Sequence, residues 1–342
     1  MANTTAIILV TYNGWEMTKA CLQDLLPLLD EHDLDRARDC AENRSVDCAE
    51  NRAASRFVVA IADNGSTDGT VENIRKEFPA EKFPRIHVYP QAGNLGFGAA
   101  NNGAIRGLIA DGVQFDAVCL LNNDTRFEAK ALVELRAELD RVGKNAVLAP
   151  TTFNVDGTRQ NNFFAGLGPE GIGYVNFLRN AFRNEASAAR VLEGLPKATA
   201  LEDIQETHWS SAVCWMMTAE LWNRVGGFDE KIFMYYEDAD MALRCRKLGA
   251  RFFITGRSAI THLGGGSAKS SLSRALQHDR SQEYVFRKHF GIPGLLLSKK
   301  FRALRSLVRV LSALPRAVAG TNAPRQREYI KHHLALLKEA IL

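Results

Sequence analysis

Between residues 6 and 149 the chain alternates short apolar runs with helix-spaced segments, and four of the runs are followed by a polar cluster. Ala6–Thr11, Phe57–Ala62, Arg85–Tyr89, Asp116–Leu121 and Ala146–Ala149 read as buried strands. Trp15–Leu29, Thr70–Phe78, Phe97–Ala110 and Glu128–Val142 read as the helices between them. Such alternation predicts an α/β fold with a mostly parallel sheet and helices on both faces. Ligands of such sheets bind beyond the carboxyl ends of the strands. The clusters there are Thr11-Tyr12-Asn13, Asp63–Asp68, Gly93–Gly96 and Asn122–Thr125.

Regularity returns after a less regular stretch, 150–207. An apolar run at Ala212–Thr218, helices at Ala219–Val225 and Glu237–Leu248, and two strands near Arg251–Thr255 and Ala259–His262 are expected. From Ser267 the chain reads as helices. In Lys299–Val318, Phe301, Leu304, Leu307, Val308, Leu311 and Leu314 recur at helical spacing, with Arg302, Arg305, Arg309 and Arg316 on the opposite face. Charge follows the same division. Residues 268–342 hold 15 basic and 4 acidic side chains, so the remaining 267 are net acidic. That basic tail can dock on an anionic membrane surface or pack on protein. Aromatic interleaving is sparse (Phe286, Phe290, Tyr329), which argues against nucleic acid.

Six scattered cysteines without a CxxC pair argue against a structural zinc site and suit a reducing compartment. No segment reads as a membrane span or signal peptide. The repeat Asp39–Arg44 and Asp47–Arg52 reads as a surface duplication without a function.

Two acidic clusters carry chemistry. Asn122-Asn123-Asp124 follows a strand, where a carboxylate can hold a divalent metal against a departing diphosphate, although such a sequence also makes turns and caps. Glu237-Asp238-Ala239-Asp240 opens a helix. Acidic residues there suit the helix dipole, yet three in four residues exceed a cap and can supply a general base. His262 precedes a glycine run without a GxGxxG or P-loop pattern and can complete a metal site.

These pieces together resemble the family 2 glycosyltransferases, in particular their bacterial rhamnosyltransferase-like branch. The resemblance rests on Val10–Asn13, Ala62–Gly69, Gly93–Asn102, Leu120–Thr125, Val225–Glu230, Phe233–Asp240 and His262–Ser267, which occur in family order. It implies a GT-A fold over about 1–267, with a nucleotide half to about 125 and an acceptor half after it, followed by a helical extension over 268–342. It implies an inverting transfer of L-rhamnose or another hexose from a dTDP- or UDP-sugar to a glycan or lipid-linked glycan. Donor contacts would come from Thr11, Asn13, Asp63, Gly96, Phe97, Asn102, Asn123 and Asp124, with Asp63 accepting from a pyrimidine N–H. Asp124 and His262 would bind Mg2+ or Mn2+, Asp238 would be the base, and Trp215, Glu237 and Asp240 would meet the acceptor. Cysteine usage suits the cytoplasm, and the basic tail can place the protein on the cytoplasmic face of the inner membrane or pack on the core or a partner subunit, which leaves a homo-oligomer open. Asn122 and Ser211 depart from the family pattern, which often has Asp and Gly there. A nucleotidyltransferase on a similar sheet is disfavoured, because Thr-Tyr-Asn-Gly-Trp replaces the basic glycine-rich loop after the first strand. A non-catalytic glycan- or membrane-binding scaffold is disfavoured by Asp124, Asp238 and His262.

Overall fold

A computed structural model describes residues 3–29, 56–160, 162–164, 204–264, 272–318 and 323–341. The 39–52 duplication, Cys40, Cys48, residues 265–267 of the glycine run and most of the irregular stretch lie outside the described residues.

The chain forms two compact units. Among the described residues, the first takes those up to 163, 204–233 and 244–264. The second takes Phe164, 234–243 and everything from 272 onward.

The first unit is built on a nine-stranded sheet. In chain order its elements are β1 (Thr4–Thr11), α1 (Trp15–Leu29), β2 (Arg56–Asp63), α2 (Thr70–Glu77), β3 (Ile86–Pro90), α3 (Phe97–Ala110), β4 (Ala117–Asn122), β5 (Thr125–Arg126), α4 (Lys130–Val142), β6 (Ala146–Phe153), β7 (Ile204–Thr207), β8 (Cys214–Thr218), α5 (Ala219–Val225) and β9 (Arg251–His262). The strand order is β3-β2-β1-β4-β8-β6-β9-β5, and β7 pairs antiparallel with β9 off this path. Strands β3, β2, β1 and β4 are mutually parallel, as are β6 and β9. β8 runs antiparallel between β4 and β6.

The central strands are apolar on both faces because helices cover both. Ile7, Leu9, Val59, Ile61, Cys119 and Met216 are fully buried, and Leu22, Leu25 and Leu28 of α1 close over that core. The two strands expected near 251–262 are one. β9 runs through, with its register against β6 shifting between Thr255 and Ala259. Gly256-Arg257-Ser258 absorbs the irregularity as a bulge, so the strand bends without ending.

The second unit contains the start of α6 (Glu237–Lys247), α7 (Leu272–Val318) and α8 (Ala323–Ile341). α7 is interrupted at Gly291, whose φ of 65° lies in the left-handed region open to glycine. α8 packs along α7 with Val310, Ala313, Leu336 and Ala340 buried.

The amphipathic pattern of Lys299–Val318 is present, but its faces are reversed from the usual arrangement. Arg302 is 2% exposed and pairs with Asp279 and Glu283, and Arg305 reaches Asp279 at 3.2 Å. Leu304, Leu307, Leu311 and Leu314 face outward. Burial alone would raise the Asp279 pKa, but the His278 hydrogen bond and the guanidinium groups of Arg305 and Arg302 hold it below the ordinary carboxylate value.

Candidate functional site

The loops after β1, β2, β3 and β4 are tied together by their own polar side chains. Asn13, at a φ of 48°, donates its N–H to Ser66 Oγ and accepts from Thr67 N–H through Oδ1, both at 2.8 Å. Asn64 accepts from Leu95 N–H and donates to Asn94 Oδ1. A Cβ on Gly65 would stand 2.6 Å from Gly93 Cα, so the two loops touch backbone to backbone.

Asp63 ends β2 beneath these loops and is 1% exposed. Its Oδ1 accepts from Ser66 N–H at 2.9 Å. Its Oδ2 is buried without a hydrogen-bond partner among the described residues. A bare buried carboxylate oxygen is costly unless a ligand donor completes it.

Thr11 and Asn123 are brought together with Thr18, which the sequence reading had not marked. Thr18 Oγ1 donates to Thr11 Oγ1 at 2.8 Å, and Asn123 Nδ2 donates to Thr18 Oγ1 at 2.9 Å. Thr11 is 1% exposed and its hydroxyl is engaged by Thr18 and Asn123.

Asp124 and His262 meet across the β5–β9 pairing, with Nε2 3.2 Å from Oδ1. Leu263 N–H donates to the Asp124 carbonyl at 2.8 Å. A hydrogen-bond relay sets the imidazole tautomer. Asn154 Nδ2 donates to Thr158 Oγ1, and Gln160 Nε2 donates to Asn154 Oδ1. Gln160 Oε1 therefore faces His262 Nδ1 at 3.1 Å and accepts its proton. Nε2 then faces a carboxylate oxygen at 3.2 Å, a pairing completed by a proton on Nε2 or by a cation that the two groups share. One oxygen and one nitrogen ligand at this separation fit a divalent ion, and the mixed donor set suits Mn2+ better than Mg2+. No cluster of three or more His, Cys, Asp and Glu that could hold a metal occurs among the described residues. The donor diphosphate and water would have to supply the other ligands. Gln160 had no signal in the sequence, because it sits in an irregular segment with no motif.

Gly96, Phe97 and Asn102 serve the loop that follows α5. A Cβ on Gly96 would fall 2.0 Å from the Phe233 carbonyl oxygen, and Phe97 N–H donates to that oxygen. The Phe97 ring stands edge-on to Phe228 at 5.7 Å. Asn102 donates to the Phe228 carbonyl and Glu230, and accepts from Phe228 N–H. The Asn102 amide is thus used within the protein, which corrects its assignment to the donor. Trp215 is also corrected. It is fully buried in β8, edge-on to Phe252, with Nε1 donating to Ser210 Oγ at 2.9 Å, so it cannot wall an acceptor site.

The second unit holds the other acidic cluster. Tyr235 and Tyr236 precede it with φ of 67° and 66°. Two successive non-glycine residues in this region cost roughly 1–3 kcal/mol each. Their rings lie against His278 at 5.6 and 5.0 Å, and Ser281 Oγ donates to the Met234 carbonyl. Packing therefore holds this strained turn and fixes where Glu237 and Asp238 begin. Asp238 is half-buried and accepts from Ala239 N–H at 2.7 Å. Glu237 is half-buried too, but its Oε2 is enclosed without a hydrogen-bond partner among the described residues. Burial and the neighbouring Asp238 charge push its pKa up to about 8. Asp240 is fully buried, with Oδ1 2.6 Å from Lys288 Nζ and 2.7 Å from His289 Nε2. That corrects its assignment to the acceptor: it pins the first turn of α6 to α7.

The glycosyl transferase family 2 model matches residues 6–185. N-acetylglucosaminyl-diphospho-decaprenol L-rhamnosyltransferase of Mycobacterium tuberculosis is 28% identical over 274 residues, covering 76% of this chain and 85% of that protein. The low-salt glycan biosynthesis hexosyltransferase Agl10 of Haloferax volcanii is 26% identical over 163 residues, 47% of each chain. Among solved structures, the mannosyltransferase PcManGT of Pyrobaculum calidifontis, in complex with GDP-Man and Mn2+, matches with a TM-score of 0.53 at 14% identity, covering 98% of this chain and 85% of that one. GalNAc-T7 with UDP, GalNAc and Mn2+ matches with a TM-score of 0.51 at 12% identity. It covers 88% of this chain, which spans about half of the GalNAc-T7 chain (55%). With the mixed sheet, flanking helices and family match all in agreement, the chain belongs to glycosyl transferase family 2 and is a rhamnosyltransferase-like glycosyltransferase of the GT-A fold.

Proposed function

We propose that the protein transfers L-rhamnose or a related hexose, with inversion, from a pyrimidine nucleoside-diphosphate sugar to a hydroxyl of a lipid-linked glycan. The observation that carries the donor half is the bare Oδ2 of Asp63, buried at the end of β2. It is an acceptor suited to the N–H of a uracil or thymine ring. The similar mycobacterial protein, whose name gives an L-rhamnosyl transfer to a diphospho-decaprenol lipid, supports the sugar and the acceptor class.

Asp124 and His262 would hold the divalent ion, which when bound offsets the charge of the departing diphosphate. Gln160, accepting from Nδ1, would leave Nε2 to serve the ion. Asp238 takes the proton of the acceptor hydroxyl as its oxygen attacks the anomeric carbon. The carbon–oxygen bond to the diphosphate breaks on the opposite face, which inverts the centre. Glu237, protonated near neutral pH, limits the negative charge beside Asp238.

A panel of nucleotide sugars, read by donor hydrolysis and by transfer to a lipid-linked acceptor, tests this reading. Pyrimidine donors should turn over and purine donors should not. Asp63→Asn should weaken donor binding about tenfold or more, the cost of a mismatched buried polar pair. Asp238→Asn should lower transfer roughly 10²–10⁴-fold with donor binding kept. Full transfer by Asp238→Asn would remove the base assignment, and preference for a guanine nucleotide would remove the donor assignment.

A further inference from the structure

The second half of α7 turns its apolar side to solvent. Leu296, Leu304, Leu307, Leu311 and Leu314 are 41–60% exposed. Their spacing of eight, three, four and three residues places them in one stripe along the helix. Lys300, also exposed, fills the one gap in it. With Ile292 and Val318 the stripe shows on the order of 600 Å2 of aliphatic surface. That is at the upper end of the largest apolar patch on an ordinary monomer, and short of the roughly 800 Å2 per partner in a standard protein interface. Two arginines of the other face are turned inward. Arg302 and Arg305 are directed at Asp279 and Glu283 within the unit.

The occupant is constrained by charge. Residues 268–342 carry 15 basic and 4 acidic side chains, so two copies repel each other while anionic headgroups attract them. Pairing with a second copy would also bury Lys300 among leucines. At a bilayer surface its stem can lie along the acyl boundary and its ammonium can reach the headgroups.

We propose that the Leu296–Leu314 stripe is an interfacial membrane-docking face, lying along an anionic bilayer with its leucines below the headgroups. The choice of a bilayer as occupant rests in part on the lipid-linked acceptor reading above. No described helix is long and apolar enough to cross a membrane, so the contact is with one leaflet. Apolar insertion carries the contact, and the net basic charge only concentrates the protein at the surface. Salt therefore weakens binding without abolishing it.

The test uses the full chain and acceptor-free vesicles of phosphatidylcholine and phosphatidylglycerol, sedimented at about 0.05 M and about 0.5 M NaCl, where the screening length falls from roughly 14 Å to 4 Å. Wild type should sediment with vesicles at both. The Leu304→Glu, Leu311→Glu double variant should bind at least tenfold more weakly at both, while hydrolysing donor at the wild-type rate. Absence of wild-type binding, its complete loss at the higher salt, or unchanged binding by the double variant would overturn the proposal. So would a wild-type dimer that the double variant converts to monomer with vesicle binding unaltered. Should the glutamates perturb the fold, Leu307→Trp gives a second measurement: its emission should shift to the blue on vesicles, and an unshifted spectrum overturns the proposal. Donor hydrolysis is read separately, so a failed transferase reading and a failed docking face give different results.

Discussion

Gln160 touches no expected ligand, yet it decides what His262 can do. Its amide is oriented by Asn154 and Thr158, and it takes the Nδ1 proton of the imidazole. Residues that orient a metal-binding histidine commonly contribute 10–100-fold in affinity. Gln160→Leu should raise the Mn2+ concentration for half-maximal donor hydrolysis about tenfold or more. Gln160→Glu should largely restore it, since a carboxylate accepts the same proton. Equal metal titrations for wild type and Gln160→Leu would show that the relay is idle. Asp63, Asp124, Asp238 and His262 stand out in the sequence because each lies at or beside the end of a strand or the start of a helix, inside a recognisable cluster. Gln160 does not, because its role depends on a contact 102 positions away in the chain. Trp215 and Asp240 misled for the opposite reason. Residue type suggested contact with a sugar, whereas burial and local partners decide otherwise.

Among elements, the strands and helices of the nucleotide half follow directly from their periodicity, with ends within two residues of expectation. The sense of α7 does not. A helical wheel separates leucines from arginines but does not say which side meets protein. Asp279 and Glu283, on the same helix before the Gly291 break, decide it by drawing Arg302 and Arg305 inward. α6 is held by the same kind of interaction, Asp240 against Lys288 and His289. Removing one member of a buried ion pair leaves the others uncompensated. Asp240→Ala should therefore lower stability by about 3–5 kcal/mol, seen as a reduced thermal midpoint, while donor affinity changes little. An unaltered midpoint would mean that this pairing contributes nothing net.

At the level of the molecule, two carboxyl groups make stability depend on pH in opposite senses. Glu237 is raised to about 8 from an ordinary 4.5, so the native state binds its proton more tightly than the unfolded chain. Its contribution is complete below about pH 4.5 and is lost as pH climbs through 8. Asp279 is shifted the other way. Its contribution is present above the ordinary value of 3.8 and is lost as pH falls through its lowered native value. The thermal midpoint should thus be higher near pH 5 than near pH 8.5, by a few degrees, and Glu237→Gln should flatten that slope. A midpoint that rises from pH 5 to 8.5 would contradict the assignment. The sheet carries a further consequence, one of timing. β4 closes at Asn122, but β8, the strand that covers its outer edge, begins only at Cys214. At about 5–20 residues per second, synthesis leaves that edge unpaired on the ribosome for roughly 5–20 s. A nascent chain of this family member therefore passes through an interval in which the apolar strand Ala117–Asn122 has one edge open to mispairing.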